Sequence, residues 1–251
     1  MAQQSLSIQM IGTGSAFTTQ FYHTSLLVRI HESTEDQFRL LVECGPTALR
    51  ALSEQGLSLK DINGIFITHL HNDRIGGLEE VANKCRYELK KKMKLYVPAD
   101  LVNPLWYQCL RAGLEVSSEG VNTLRDWFDI YPVEQFFNLE GIWFRIRPTL
   151  HVPGMPNFSL YIHDKVFYSG DIVFDRHLLE EIATQCDIIL HDVQLAPNPV
   201  SHAGINQLLT LPTDTQQKMK LLHYEDNMHE YKGKIGRLTF VEQGQAFAVT
   251  V

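Results

Sequence analysis

Apolar and polar positions alternate through Ser7-Ile8-Gln9-Met10-Ile11, the period of a half-buried strand, and Gly12-Thr13-Gly14-Ser15 behind it predicts a tight turn beneath a site. Residues 24–30 and 38–42 alternate or run apolar and predict two paired strands. Helical spacing follows over residues 46–55 and stops at Gly56, which suits a C-terminal cap. Gly64-Ile65-Phe66-Ile67 is a short apolar strand covered on both faces. A helix begins over residues 79–83, and Leu95-Tyr96-Val97-Pro98 ends another strand. Residues 101–113 form an amphipathic helix with Leu101, Leu105, Trp106, Cys109 and Leu110 on one side. In the second half, residues 141–149, 159–163, 165–169, 187–190 and 219–222 predict strands, with helices over 176–184 and near 203–211.

Two strand-rich halves, each followed by helices, predict an α/β protein: two packed mixed β-sheets with helices outside, an αβ/βα sandwich. Neither an internal repeat nor a linker divides the chain, so residues 1–251 are expected to form one domain.

Composition narrows the class. A chain that is 44% hydrophobic and 20% charged, without an apolar run long enough for a bilayer, is expected to be soluble and away from membranes. Met1-Ala2-Gln3-Gln4-Ser5-Leu6 lacks the charged start and apolar stretch of a signal peptide, so the expected location is the cytoplasm. Cys44, Cys85, Cys109 and Cys186 are widely spaced without a Cys-x-x-Cys pair and read as reduced packing residues. The net charge of -7 disfavours a large nucleic acid and leaves a small anion open as partner. Lys90, Lys91, Lys92 and Lys94 are the one basic run, a pattern commoner at a solvated helix end than at a phosphate site.

The chemistry concentrates in Thr68-His69-Leu70-His71-Asn72-Asp73-Arg74-Ile75-Gly76-Gly77, directly after an apolar strand. His69 and His71 alternate in an extended segment, so their imidazoles point the same way, and Asp73 adds a carboxylate. These are zinc donors. Gly76-Gly77 is expected to let the chain turn sharply where side chains would crowd a metal.

This phrase resembles the metallo-β-lactamase superfamily, and the resemblance covers nearly the whole chain. By that resemblance His151 is the third histidine of a first zinc site, Asp171 in Tyr168-Ser169-Gly170-Asp171 bridges two metals, and His223 closes a second site with Asp73. Arg74 stands where hydrolases of the superfamily usually carry a second-site histidine. Guanidinium has no free lone pair, so Arg74 cannot ligate zinc. Two outcomes follow: a single zinc on His69, His71 and His151, or, the favoured expectation, two zincs with water filling the gap. With a single zinc, Arg74 could clamp an anion or pair with an acidic residue.

His191-Asp192-Val193-Gln194 and Ser201-His202-Ala203 resemble paired motifs of the ribonuclease Z branch, in which an acidic residue orients a histidine that protonates a leaving oxygen; Asp192 and His202 match those positions, and Asp73 would orient the attacking water. Otherwise Asp192 is a turn cap and His202 a surface residue. Residues 95–115, with the Tyr-Ser-Gly-Asp, His-Asp-x-Gln-Leu and His-Tyr-x-Asp phrases, are similar over the full length to the anti-Pycsar cyclic-nucleotide phosphodiesterases, including their insert, here near residues 85–135. The resemblance implies a homodimer that opens 3',5'-cyclic nucleotides of antiphage defence. Trp106 would pack a dimer face, cover a base or sit in a core helix, and His23 and Thr24 could reach the pocket. The alternatives are a noncatalytic protein that sequesters a nucleotide signal and an enzyme acting on RNA ends or lactones; a β-lactamase is least expected without an export signal.

Overall fold

The computed structural model describes residues 4–32 and 35–250; residues 1–3 of the N-terminal reading lie outside them. Among the described residues two seven-stranded sheets form. The first runs β16 (Ala246–Val249), β1 (Gln4–Gly12), β2 (Ser25–Glu32), β3 (Glu35–Val42), β4 (Gly64–Phe66), β5 (Met93–Pro98), β8 (Phe128–Val133). The second runs β15 (Thr239–Phe240), β14 (Met219–Leu222), β13 (Ile188–Asp192), β12 (Val166–Tyr168), β11 (Phe158–Ile162), β10 (Ile142–Pro148), β9 (Phe136–Leu139). A small hairpin joins β6 (Val116–Ser117) to β7 (Gly120–Val121). Both sheets are mixed. Strands β16, β1, β2 and β3 pair antiparallel while β3, β4, β5 and β8 pair parallel, and β9 to β12 pair antiparallel while β12 to β15 pair parallel.

Side-chain alternation explains the layering. In the second sheet Leu160, Ile162, Val166, Tyr168, Leu190 and Leu222 join the core shared with the first sheet. Their neighbours Tyr161, Phe167, Ile189 and Leu221 pack instead with Leu179 and Ile182 of the helix Arg176–Gln185. β4 and β11 are buried at every residue, and β4, covered on both faces, reads as a continuous apolar run. Strand β10 is one-sided: Ile142, Phe144 and Ile146 face in while Trp143 is exposed.

Several elements differ from the pattern-based expectation. Residues 99–114 are helical throughout, but Leu105–Leu110 winds as wide π turns, which carries Leu105, Trp106 and Leu110 inward and leaves Cys109 half-buried. Trp106 is a core residue, 7% exposed. The helix near 203–211 shrinks to Ile205–Leu208, and a helix over Thr213–Lys218 carries no apolar pattern because all its residues are polar. Strands β8, β9, β15 and β16 also escaped the pattern; β8 lies inside the expected insert yet pairs with β5 over six positions. Cys44, Cys85 and Cys186 are buried, and all four cysteines are free. Among the described residues no helix is long and apolar enough to cross a membrane.

Candidate metal centre

The polar residues converge where strands end. His69 and His71 follow β4, His151 follows β10, Asp171 follows β12, Asp192 is the last residue of β13, and His223 follows β14. Loops at strand ends are free of ladder hydrogen bonding and can present side chains to one point.

His69, His71, His151 and Asp171 bring one donor atom each within 4.8 Å of one another. His71 Nδ1 lies 3.1 Å from His69 Nε2 and 3.2 Å from His151 Nε2. Nitrogens around a tetrahedral zinc stand about 3.3 Å apart, given the usual zinc–nitrogen bond length. The first donor group therefore fits zinc in both chemistry and spacing. Two of the three rings are aimed from behind. His151 Nδ1 donates to the Ser201 carbonyl at 2.7 Å, which leaves Nε2 as the lone pair. His69 Nδ1 donates to Thr68 Oγ1 at 2.9 Å, and Thr68 Oγ1 donates to Glu43 Oε1 at 2.5 Å. Burial pushes the Glu43 carboxyl up to about 8, against the opposing pull of Arg74 and Thr68. Burial likewise drives His69 well below the usual imidazole range and lowers His71, so both rings are neutral donors.

Arg74 is 0% exposed, and its guanidinium occupies the second half of the centre. Nη2 bonds Asp171 Oδ1 and donates to His223 Nδ1 at 2.8 Å, and Nη1 reaches the Thr24 carbonyl at 3.4 Å. Burial opposes charge on Asp171, but Arg74, then His223 and His69, outweigh it and hold the carboxyl well below its usual range. Burial pushes His223 down to about 3 despite Asp171, with Arg74 adding to the fall. The gap that water was expected to fill holds the side chain of Arg74 itself. Facing inward, it offers no group to an anion outside.

Asp73 joins neither candidate donor group. Its Oδ2 is buried without a hydrogen-bond partner, 3.6 Å from Arg74 Nε and 4.0 Å from His223 Nδ1. His23 is half-buried with Nδ1 unpartnered, lowered by burial and under the field of Asp73 and Arg74. Gly76 and Gly77 have ordinary helical backbone, φ -64° and -86°. A Cβ on Gly77 would meet Gly45 O at 2.5 Å, so the glycines serve close packing of the helix start on the 44–46 loop, not a sharp turn or room for a metal.

His202 stands between His151 and His223, ring centroids 4.8 and 4.9 Å away. Its Nδ1 donates to Asp192 Oδ2 at 2.9 Å, and Asp192 Oδ1 accepts from Ser169 Oγ at 3.1 Å and the Ile172 amide at 3.3 Å. The aspartate thus joins His202 to Ser169 and the Ile172 amide. Burial lowers the His202 pKa, but the Asp192 hydrogen bond and charge outweigh it, and the net shift is upward. A cavity of about 330 Å³ opens onto His202 and His223, lined also by Ser15, Ala16, Phe17, Gln194, Ser201 and Glu225. Phe17 in its lining is 93% exposed. A larger groove, about 410 Å³, runs between the helices Ala48–Glu54 and Leu78–Asn83 and is lined by surface charges such as Arg50, Lys60, Glu80 and Lys84, without a histidine or cysteine.

Glu43, Thr68, Ser169 and Ser201 support the centre and were not assigned roles from sequence. Thr68 sat in plain view within the motif, but a hydroxyl behind a ligand has no spacing signature.

The model of the family "Anti-Pycsar protein Apyc1" matches residues 6–247. An "Anti-Pycsar protein Apyc1" of Paenibacillus xerothermodurans is 43% identical over 251 residues, covering 98% of each chain. Among solved structures, the metallo-β-lactamase fold protein YhfI of Bacillus subtilis superposes with a TM-score of 0.73 at 12% identity, over 98% of this chain and 100% of that one. The short form of human tRNase Z superposes with a TM-score of 0.67 at 17% identity, over 98% and 100%. The fold is that of the metallo-β-lactamases.

Proposed function

The chain belongs to the anti-Pycsar Apyc1 family, and from that premise we propose that it is a zinc-dependent phosphodiesterase that hydrolyses 3',5'-cyclic nucleotides to nucleoside monophosphates and so counters cyclic-nucleotide signalling in antiviral defence. The observation that carries the reading is the His202–Asp192 pair, with His202 set against His151 of the three-histidine donor group and lining a cavity.

Zinc on His69, His71, His151 and Asp171 would supply a water of lowered pKa and a Lewis acid for the phosphoryl group. Hydrolysis forms one new P–O bond from a water and breaks one ester P–O bond of the ring. The departing ribose oxygen needs a proton. His202, protonated through its hydrogen bond to Asp192, donates from the Nε2 edge that Asp192 leaves free. The Ser169 hydroxyl and Ile172 amide keep Asp192 from rotating away. Cavity size favours a mononucleotide over a folded RNA, as does the net charge of -7. The protein is read as a cytoplasmic homodimer without membrane attachment.

A second reading draws on the buried Arg74: a protein that holds a cyclic nucleotide without opening it. Incubation with cyclic CMP, UMP, AMP and GMP separates the two, linear monophosphates supporting the enzyme and tight binding without product supporting the sequestering protein.

A further inference from the structure

We infer that this chain's centre takes a single metal ion, on His69, His71, His151 and Asp171, and that the Arg74 guanidinium is built in as the second cation. The inference rests on the metal-centre reading above and not on the identity of the substrate.

Three observations support it. The guanidinium bonds two of the three groups that a second metal would use, Asp171 Oδ1 and His223 Nδ1, and it is wholly buried between them. The Asp171 carboxylate divides its two oxygens: Oδ1 goes to Arg74 and Oδ2 faces His69 Nε2 at 3.5 Å. It therefore joins a metal position to a fixed organic cation rather than to another metal. Finally, Asp73, the remaining carboxylate, pairs with Arg74 Nε at 3.6 Å and belongs to no donor group.

One further triplet, Asp171, His202 and His223, also gathers donor atoms within 4.8 Å. Two of its three members are the partners of Arg74. A dication there would sit against a permanent positive charge with little water to screen it. His202 is moreover held by Asp192. The triplet is thus disfavoured by the same side chain that fills the neighbouring position. Arg74 acts as a positioning residue: it fixes Asp171 toward the first metal, orients His223, and supplies charge without offering a site for exchange.

Metal content reads this out without any substrate. Zinc is added in tenfold excess to metal-free protein, unbound zinc is removed by gel filtration, and zinc per chain is measured by inductively coupled plasma mass spectrometry. The wild type is expected to retain one zinc, and His69→Ala none. Arg74→His replaces a cation that lacks a lone pair with an imidazole that has one, and is expected to retain two. Two zincs on the wild type would overturn the inference, as would one on His69→Ala or one on a folded Arg74→His. If Arg74→His does not fold, zinc-edge anomalous scattering from wild-type crystals decides: one peak among the three histidines supports the inference, and a second peak beside Asp171 overturns it. Because no turnover is measured, a protein that opens no cyclic nucleotide can still pass, and an active one can fail.

Discussion

Asp192 Oδ2 accepts a hydrogen bond from His202 Nδ1 at 2.9 Å, and the proposed mechanism makes that pair the proton source, apart from the first donor group. His202→Ala is expected to keep its zinc while turnover falls about 10²–10⁴-fold, the usual worth of a general acid. Zinc content by mass spectrometry and initial rates check both halves. A fully active variant would remove His202 from the chemistry.

The pH profile follows from the same pair. In the proposed mechanism His202 works protonated, and its pKa is raised, since the Asp192 hydrogen bond and charge outweigh burial. Turnover should fall as pH rises through that raised value. Asp192→Asn withdraws the charge, lowers the His202 pKa, and should move the falling limb to lower pH with a smaller loss at acid pH than at neutral pH. An unshifted limb would assign the titration to another group.

Thr68 links Glu43 to His69, donating at 2.5 Å and accepting at 2.9 Å. Thr68→Val keeps the shape and removes both bonds. Zinc affinity should drop about 10–100-fold, as for other groups behind metal ligands. Competition with a chelating dye measures it, and an unchanged affinity would reduce Thr68 to packing.

Gly170 carries φ +63°, and a Cβ there would meet Thr68 Oγ1 at 3.1 Å and Phe158 O at 3.2 Å. Gly170→Ala should therefore cost about 1–3 kcal/mol of stability, read by urea unfolding of the zinc-free protein. Because Asp171 is next in the chain, the variant should also bind zinc less tightly than the wild type. A cost near zero would mean that the backbone relaxes there.

What the sequence made legible follows from what periodicity can carry. Residues 7–11 and 64–67 announced their strands because burial on one face or both writes a recognisable pattern. Strand β8 did not, since Asp129, Tyr131 and Pro132 interrupt its buried Phe128, Ile130 and Val133 with exposed positions. The candidate metal donors were legible because His69 and His71 stand two apart in one motif, and His151, Asp171 and His223 followed from the order of the family's motifs. The conformation of Arg74 was not legible. Sequence identified it as a residue unable to ligate zinc; only packing decides whether such a side chain turns outward to an anion or inward to Asp171 and His223. Likewise Asp73 reads as a ligand from spacing, and its separation from both donor groups appears only in three dimensions.

The central claim is tested most directly by chromatography of the zinc-loaded protein after incubation with 3',5'-cyclic CMP, UMP, AMP and GMP, alongside His151→Ala. Linear monophosphate from the wild type, and none from the variant that lacks a zinc ligand, is the predicted result. Intact cyclic nucleotide in every wild-type reaction would contradict it.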